Sequence, residues 1–219
     1  YRYWFYRIAG KSREGLGKGH YAKFMINLLP RAIMDYQSYK QYFTTSLEVV
    51  NESEVEQLIQ LIIDKYKVGK TLYVIGNGGS AATASHFAQD LSKGTRKDVG
   101  TIRRIRALSL ADSVPFITAL ANDDGYETVF EQQLRTFAVK KDVLIAISGS
   151  GNSPNILKAI NWANENNIHT VGITGFNGGK LKQICKQSLH VELNDMCTVE
   201  SIHSFIMHYI ALRLMEETD

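Results

Sequence analysis

The sequence predicts an α/β fold: a three-layer α/β/α sandwich around a five-stranded parallel sheet, preceded by an N-terminal helical segment. Three observations carry this reading. After Gly69, short apolar runs alternate with helical stretches, which implies parallel pairing through right-handed crossovers. The runs are nearly continuously apolar, as strands covered on both faces are. Two of them end in Gly/Ser-rich turns that open into helices, and in such folds ligands sit at the carboxyl ends of strands. A chain of 219 residues with 44% apolar and 21% charged content suits one domain with an added helical segment. Only 3 Pro and 2 Cys, with no repeat period, exclude collagen, solenoids and disulfide scaffolds.

The elements follow in order. Residues 34–68 form the helical segment, with Leu47, Val50, Val55, Leu58, Ile59, Ile62 and Ile63 at helical spacing and Asn51 or Ser53 able to cap a second helix. Leu72–Ile75 is the first strand, followed by Gly76-Asn77-Gly78-Gly79-Ser80 and a helix to about Lys93. Ile105–Leu110 is the second strand, and Val114–Leu120 and Glu127–Phe137 are helical. Val143–Ile147 is the third strand, ending in Ser148-Gly149-Ser150-Gly151-Asn152-Ser153. Pro154 opens the next helix, where its missing N–H costs nothing. His169–Ile173 and Leu189–Leu193 are the fourth and fifth strands, and a last helix runs from about Val199 to Met215.

Charge is unevenly spread. Residues 1–33 hold seven Lys/Arg and one acid, a formal +6, so the remaining chain carries −3 and offers no charge argument for nucleic acid. The aromatic, basic opening Tyr1–Arg7 lacks the apolar core of a secretory signal. Residues 1–33 are therefore expected to be an atypical, non-native extension, with Met34 as the natural start; a targeting or membrane-surface role is the competing reading. No apolar run approaches the roughly 20 residues of a membrane span. Cys185 and Cys197 lack CxxC spacing and are expected to be reduced thiols of a cytoplasmic protein.

The two Gly/Ser turns suit a phosphate. Glycine lets backbone approach a ligand, and a helix N-terminus aims free N–H groups at it. Neither turn matches the Walker or the dinucleotide pattern. His86 and Asp90, four apart, share one face of the helix that leaves the first turn. A His and a carboxylate at that spacing can grip a metal ion. The last helix adds Glu200, His203 and His208. Eight helical residues rise roughly 12 Å, so Glu200 and His208 reach one ion only if Glu200 sits on a frayed helix start or different subunits supply them. His203 reads as structural or pocket-lining.

These two turns, with His86-Phe87-Ala88-Gln89-Asp90 and Ala121-Asn122-Asp123-Asp124-Gly125-Tyr126, resemble the sugar isomerase (SIS) domain, most nearly the phosphoheptose isomerases. The resemblance covers about residues 40–217 and makes 69–219 the SIS domain. It implies isomerisation of sedoheptulose 7-phosphate to D-glycero-D-manno-heptose 7-phosphate for surface polysaccharide, by a homotetramer with shared active sites. It implies Zn²⁺ on His86, Asp90, Glu200 and His208, with Asp90 as catalytic base and His208 as general acid. It implies substrate contacts from Asn77, Gly78, Ser80, Asp123, Ser148, Ser150, Ser153 and Glu200. Three positions depart from the family pattern: Asp90 stands for a Glu, Gly149 for a Thr, and Gly94 where an Arg is expected, with Lys93 or Arg96 as its replacement. Arg103, Arg104 and Arg106 read as a solvated edge. The alternative is a non-catalytic tetrameric SIS protein that binds a phosphosugar or a replication initiator; His86 and His208 favour the enzyme, because the initiator-binding relatives lack that pair.

Overall fold

A computed structural model describes residues 35–100 and 103–217, so the expectation for residues 1–33 lies outside the described residues. The described residues fall into two units, divided after Glu48. Of the first, helix α1 (Tyr36–Ser46) is described, and its N-cap Asp35 accepts from the Ser38 backbone N–H at 2.8 Å.

The second unit opens with α2 (Glu52–Lys67), whose N-cap is Asn51, accepting from the Ser53 N–H at 3.0 Å. That buries Val55, Leu58, Ile59, Ile62, Ile63 and Tyr66 along one stripe, the face its periodicity marks as apolar. There follow β1 (Thr71–Gly76), α3 (Gly79–Gln89), β2 (Arg106–Ser109), α4 (Val114–Asp123), α5 (Val129–Phe137), β3 (Val143–Ser148), α6 (Pro154–Glu165), β4 (His169–Thr174), α7 (Gly179–Ile184), β5 (Gln187–His190) and α8 (Met196–Glu217).

The sheet has five strands in the order β2-β1-β3-β4-β5, all neighbours parallel. β3 is buried along its whole length, as a central strand with both faces covered must be. On one face Tyr73, Ile75, Leu144 and Ala146 pack with Phe130 and Leu134 of α5 and with Ile156, Ala159 and Ile160 of α6. The order reverses between β1 and β3, which puts the turns after these two strands side by side at the switch point. Both are the Gly/Ser turns.

Helix α7 has no counterpart in the sequence reading, and three expected elements differ in placement or form. The last strand is Gln187–His190 rather than Leu189–Leu193. Val191 still donates to the Thr174 carbonyl, and then the chain turns, Leu193 donating to Val191 and accepting from Phe176. Val191 and Leu193 are buried by this turn instead of by strand pairing. The helix after the first turn passes at Asp90 into a π-helical turn, Asp90–Gly94, closed by the Thr95 N–H to Asp90 O bond at 3.2 Å. The last helix begins at Met196, three residues before its expected start, because the Asp195 carboxylate accepts from the N–H groups of Cys197 and Thr198.

Candidate active site

The turn after β1 and the turn after β3 form the walls of one cleft of about 110 Å³, lined by Asn77, Ser80, Ile147, Ser148, Gly149, Ser150, Ser153, Met196 and Glu200. Ser80 lies in the first turn of α3 and is buried. Gly78 is its N-cap at φ +54, so the cap itself brings no side chain to the first N–H groups of α3. In the other wall, Ser148 Oγ accepts from the Gly151 N–H at 3.2 Å and Ser150 Oγ from the Asn152 N–H at 3.3 Å. Ser153 is the N-cap of α6 but makes no cap hydrogen bond, which leaves its hydroxyl for a ligand. Gly151 fixes this turn. Its φ is +63, and a Cβ there would lie 2.1 Å from the Gly178 carbonyl oxygen.

The start of α8 closes the cleft. Met196 lays its sulfur over Gly149, 2.6 Å from where a Cβ would stand. The room left by the missing side chain at 149 is thus filled by a thioether. The Glu200 carboxylate lies over Gly79, 2.6 Å from a would-be Cβ; only glycine admits it so near the α3 N-terminus. Glu200 is in regular helix, one turn past Met196, so the frayed-start explanation for its reach falls.

A second cluster stands further along the same helices. His86 Nε2 is 3.4 Å from Asp90 Oδ2, and His208 Nε2 is 4.0 Å from the same oxygen. The two imidazole rings meet edge to face with centroids 4.8 Å apart. One ligand atom from each of the three residues falls within 4.8 Å of the others. Thr83, Phe87, Ser204 and Met207 flank them. The imidazoles are about half exposed, at 54% and 51%, and Asp90 is 22% exposed. The donor set, two imidazoles and a carboxylate around one point, fits a zinc-type ion with a position left open.

Gly79 against Glu200 at one end, and His86 with Asp90 against His208 at the other, show that α3 and α8 run in parallel. His86 is seven residues past Gly79, roughly 10 Å along the helix axis. Within one chain Glu200 therefore stands apart from the His86–Asp90–His208 cluster, although all four are expected as ligands of one ion.

Asp123 is the last residue of α4, exposed, and its Oδ1 accepts from Asn122 Nδ2 at 2.7 Å. It does not line the cleft of its own chain. His203 is fully buried and its Nε2 donates to the Thr174 carbonyl at 3.2 Å; burial pushes its pKa down to about 4. It lines neither cluster. Arg103 is not a free edge charge: it stacks over Tyr66 at 4.8 Å and donates to the last carbonyls of α2, those of Tyr66 and Lys67. Cys185 and Cys197 are free thiols, and burial pushes Cys185 up to about 12.

Asn155 and Met196 escape the sequence reading, and Tyr126 figures in it only as the end of the 121–126 motif, with no role of its own. Asn155, in the first turn of α6, and Tyr126, just past α4, hydrogen-bond Asn77 at 2.9 and 3.0 Å. The one local signal is a polar residue directly after Pro154 in an otherwise apolar first turn.

Among known proteins, the SIS domain family model matches residues 35–175. The phosphoheptose isomerase of Trichlorobacter lovleyi is 36% identical over 166 residues, covering 75% of this chain and 82% of that protein. Phosphoheptose isomerase 1 of Campylobacter jejuni is 33% identical over 184 residues, covering 84% and 95%. The solved phosphoheptose isomerase of Neisseria gonorrhoeae superposes with a TM-score of 0.69 at 28% identity, covering 81% of this chain and 97% of that one. With the cleft at the switch point and the His/Asp cluster on the helix that leaves it, these matches establish that the chain belongs to the SIS domain family, among the phosphoheptose isomerases.

Proposed function

We propose that the chain is an aldose–ketose isomerase that converts sedoheptulose 7-phosphate to D-glycero-D-manno-heptose 7-phosphate, a supply step for heptose in bacterial surface polysaccharide, lipopolysaccharide included. The observation that carries this is the pairing of an anion-suited cleft with a His/carboxylate cluster on one pair of parallel helices. Moving a carbonyl from C2 to C1 requires one group to take the proton beside it and another to hold charge on oxygen. The hydroxyls of Ser80, Ser148, Ser150 and Ser153 and the donor of Asn77 receive the phosphate, on the side of the cleft away from the Glu200 carboxylate that lies over Gly79. Asp90 takes the proton from C1 of the ketose and delivers it to C2 of the enediolate. Its Oδ2 faces both imidazoles, so Oδ1 is the oxygen free to do so. His208 gives a proton to the C2 oxygen, regains one from the C1 hydroxyl, and assists ring opening. Zn²⁺ held by His86, Asp90 and His208 would polarise the sugar oxygens as a Lewis acid. Asp90 is one methylene shorter than the family Glu, so the ketose must seat closer to α3.

The reading includes a homotetramer with shared sites. The roughly 12 Å rise between Glu200 and His208 is resolved if the cleft of one subunit, with its Glu200, abuts the His/Asp cluster of another. Two features support it. α8 exposes Phe205, Tyr209, Leu212 and Met215 opposite its buried face, a row of large apolar side chains of the kind that interaction surfaces use. α4 is apolar yet has no fully buried residue. Sedimentation at micromolar concentration is expected to give four times the chain mass. Among the described residues no helix is long and apolar enough to cross a membrane.

The substrate is tested by offering sedoheptulose 7-phosphate beside five- and six-carbon ketose phosphates and following each by NMR. The expected outcome is an aldose product from the seven-carbon sugar at a rate at least tenfold above the others. Turnover of a shorter sugar alone would overturn the heptose assignment.

A further inference from the structure

We infer that Asn155 and Tyr126 are positioning residues: they lock the side-chain amide of Asn77 so that it offers the loop cleft a hydrogen-bond donor and no acceptor. The chain of reasoning starts from a backbone group. The Ile156 N–H, which can only donate, points at Asn155 Oδ1 at 3.0 Å, so the oxygen of that amide is fixed there. Asn155 is 2% exposed and cannot turn out to water. Its amide forms a reciprocal pair with that of Asn77: Asn77 Nδ2 donates to Asn155 Oδ1 and Asn155 Nδ2 donates to Asn77 Oδ1, both at 2.9 Å. The first orientation therefore dictates the second. A hydroxyl can donate or accept, but Tyr126 Oη, 3.0 Å from Asn77 Oδ1, meets an oxygen and must donate.

Asn77 Oδ1 now has both lone pairs engaged. What remains of the amide is one Nδ2 hydrogen, and Asn77 lines the cleft. The cleft is thereby tuned to an acceptor oxygen, such as that of a phosphate. Three separate segments meet in this arrangement: the turn after β1, the first turn of α6 and the segment after α4. Asn155→Asp would set a carboxylate oxygen against Asn77 Oδ1 in either orientation of Asn77, and would drive the amide out of register. Tyr126→Phe would free one lone pair of Asn77 Oδ1.

The inference rests on the cleft receiving the phosphate of the substrate, so its test is separable from turnover. The side-chain amide protons of Asn77 are followed in ¹⁵N–¹H spectra while inorganic phosphate is added. In the wild type, one proton is expected to exchange slowly and the other to shift with phosphate. Asn155→Asp should abolish that shift and weaken phosphate on the order of 10- to 100-fold, and Tyr126→Phe on the order of 3- to 10-fold, the scale of one or two hydrogen bonds. With the sugar phosphate, both should raise KM by those factors and leave kcat within about threefold, a split that a general loss of structure would not produce. Tyr126 is 55% exposed, so its variant is expected to fold and decides the matter if Asn155→Asp does not. The inference is overturned if the wild-type Asn77 amide ignores phosphate, or if Tyr126→Phe leaves phosphate affinity within twofold. Should phosphate move the Asn77 signal while sedoheptulose 7-phosphate is not turned over, the positioning role stands and the heptose reading fails.

Discussion

The loop cleft and the His86–Asp90–His208 cluster share two helices but are built on opposite terms. The cleft is made of backbone as much as side chains: a buried Ser80 and Ser148, a Gly151 at φ +63 pressed on Gly178, and hydrogen bonds within each turn. The cluster is made of side chains alone, two of them about half exposed, on helices that are complete without them. An anion site gains from rigidity, because its donors then need no reordering on binding. A metal-ligating, proton-moving site must keep open coordination and an approach for the sugar. The cleft should therefore resist substitution through folding, and the cluster only through chemistry.

The sharpest separation is expected at the cluster. Asp90→Asn and His208→Ala should each lower isomerase turnover by roughly 10²- to 10⁴-fold, the range of a lost general acid or base, with Tm within a degree or two of wild type. A matching fall in Tm would erase the distinction between the two regions. In the cleft, Gly151→Ala should do the reverse: a strained backbone and a collision with Gly178 cost about 1–3 kcal/mol or more. Urea unfolding should show this together with loss of phosphate binding; unchanged stability would mean that the turn is softer than its contacts imply.

Behind both sites, His203 ties α8 to the end of β4. Its pKa is about 4 in the folded chain against roughly 6.5 unfolded. The unfolded state therefore binds the extra proton first, and stability falls as pH drops below about 6.5, levelling off below about 4. The loss is on the order of 3 kcal/mol. His203→Gln keeps a donor for the Thr174 carbonyl but cannot titrate, and its stability between pH 6.5 and 4 should be flatter in thermal melts. The smallest expected effect on stability is Ser153→Ala. This serine makes no cap bond, so stability should stay within about 0.5 kcal/mol while phosphate affinity drops on the order of tenfold, measured by calorimetry.

What the sequence disclosed and what it hid follow from distance along the chain. β1 and β3 were legible because central parallel strands are apolar on both faces. His86 and Asp90 were legible as a pair because four residues make one helical step, and the eight-residue spacing of Glu200 and His208 left a frayed helix start or a second subunit as the ways they could reach one ion. β5 was shifted because Val191 and Leu193 are buried by a turn that mimics strand alternation. Asn155 stayed hidden because its meaning lies in an amide 78 residues away, and Met196 because its role is to fill the space that Gly149 leaves. Local periodicity carries neither contact.

The claim on which the account turns is that Asp90 removes a sugar hydrogen while the cleft holds the phosphate. The direct measurement is deuterium uptake from D₂O into sedoheptulose 7-phosphate beside its carbonyl, followed by NMR for the wild type and Asp90→Asn. The account expects uptake by the wild type and none above background by Asp90→Asn, with sugar-phosphate affinity kept within about threefold. Uptake by Asp90→Asn at the wild-type rate would contradict it.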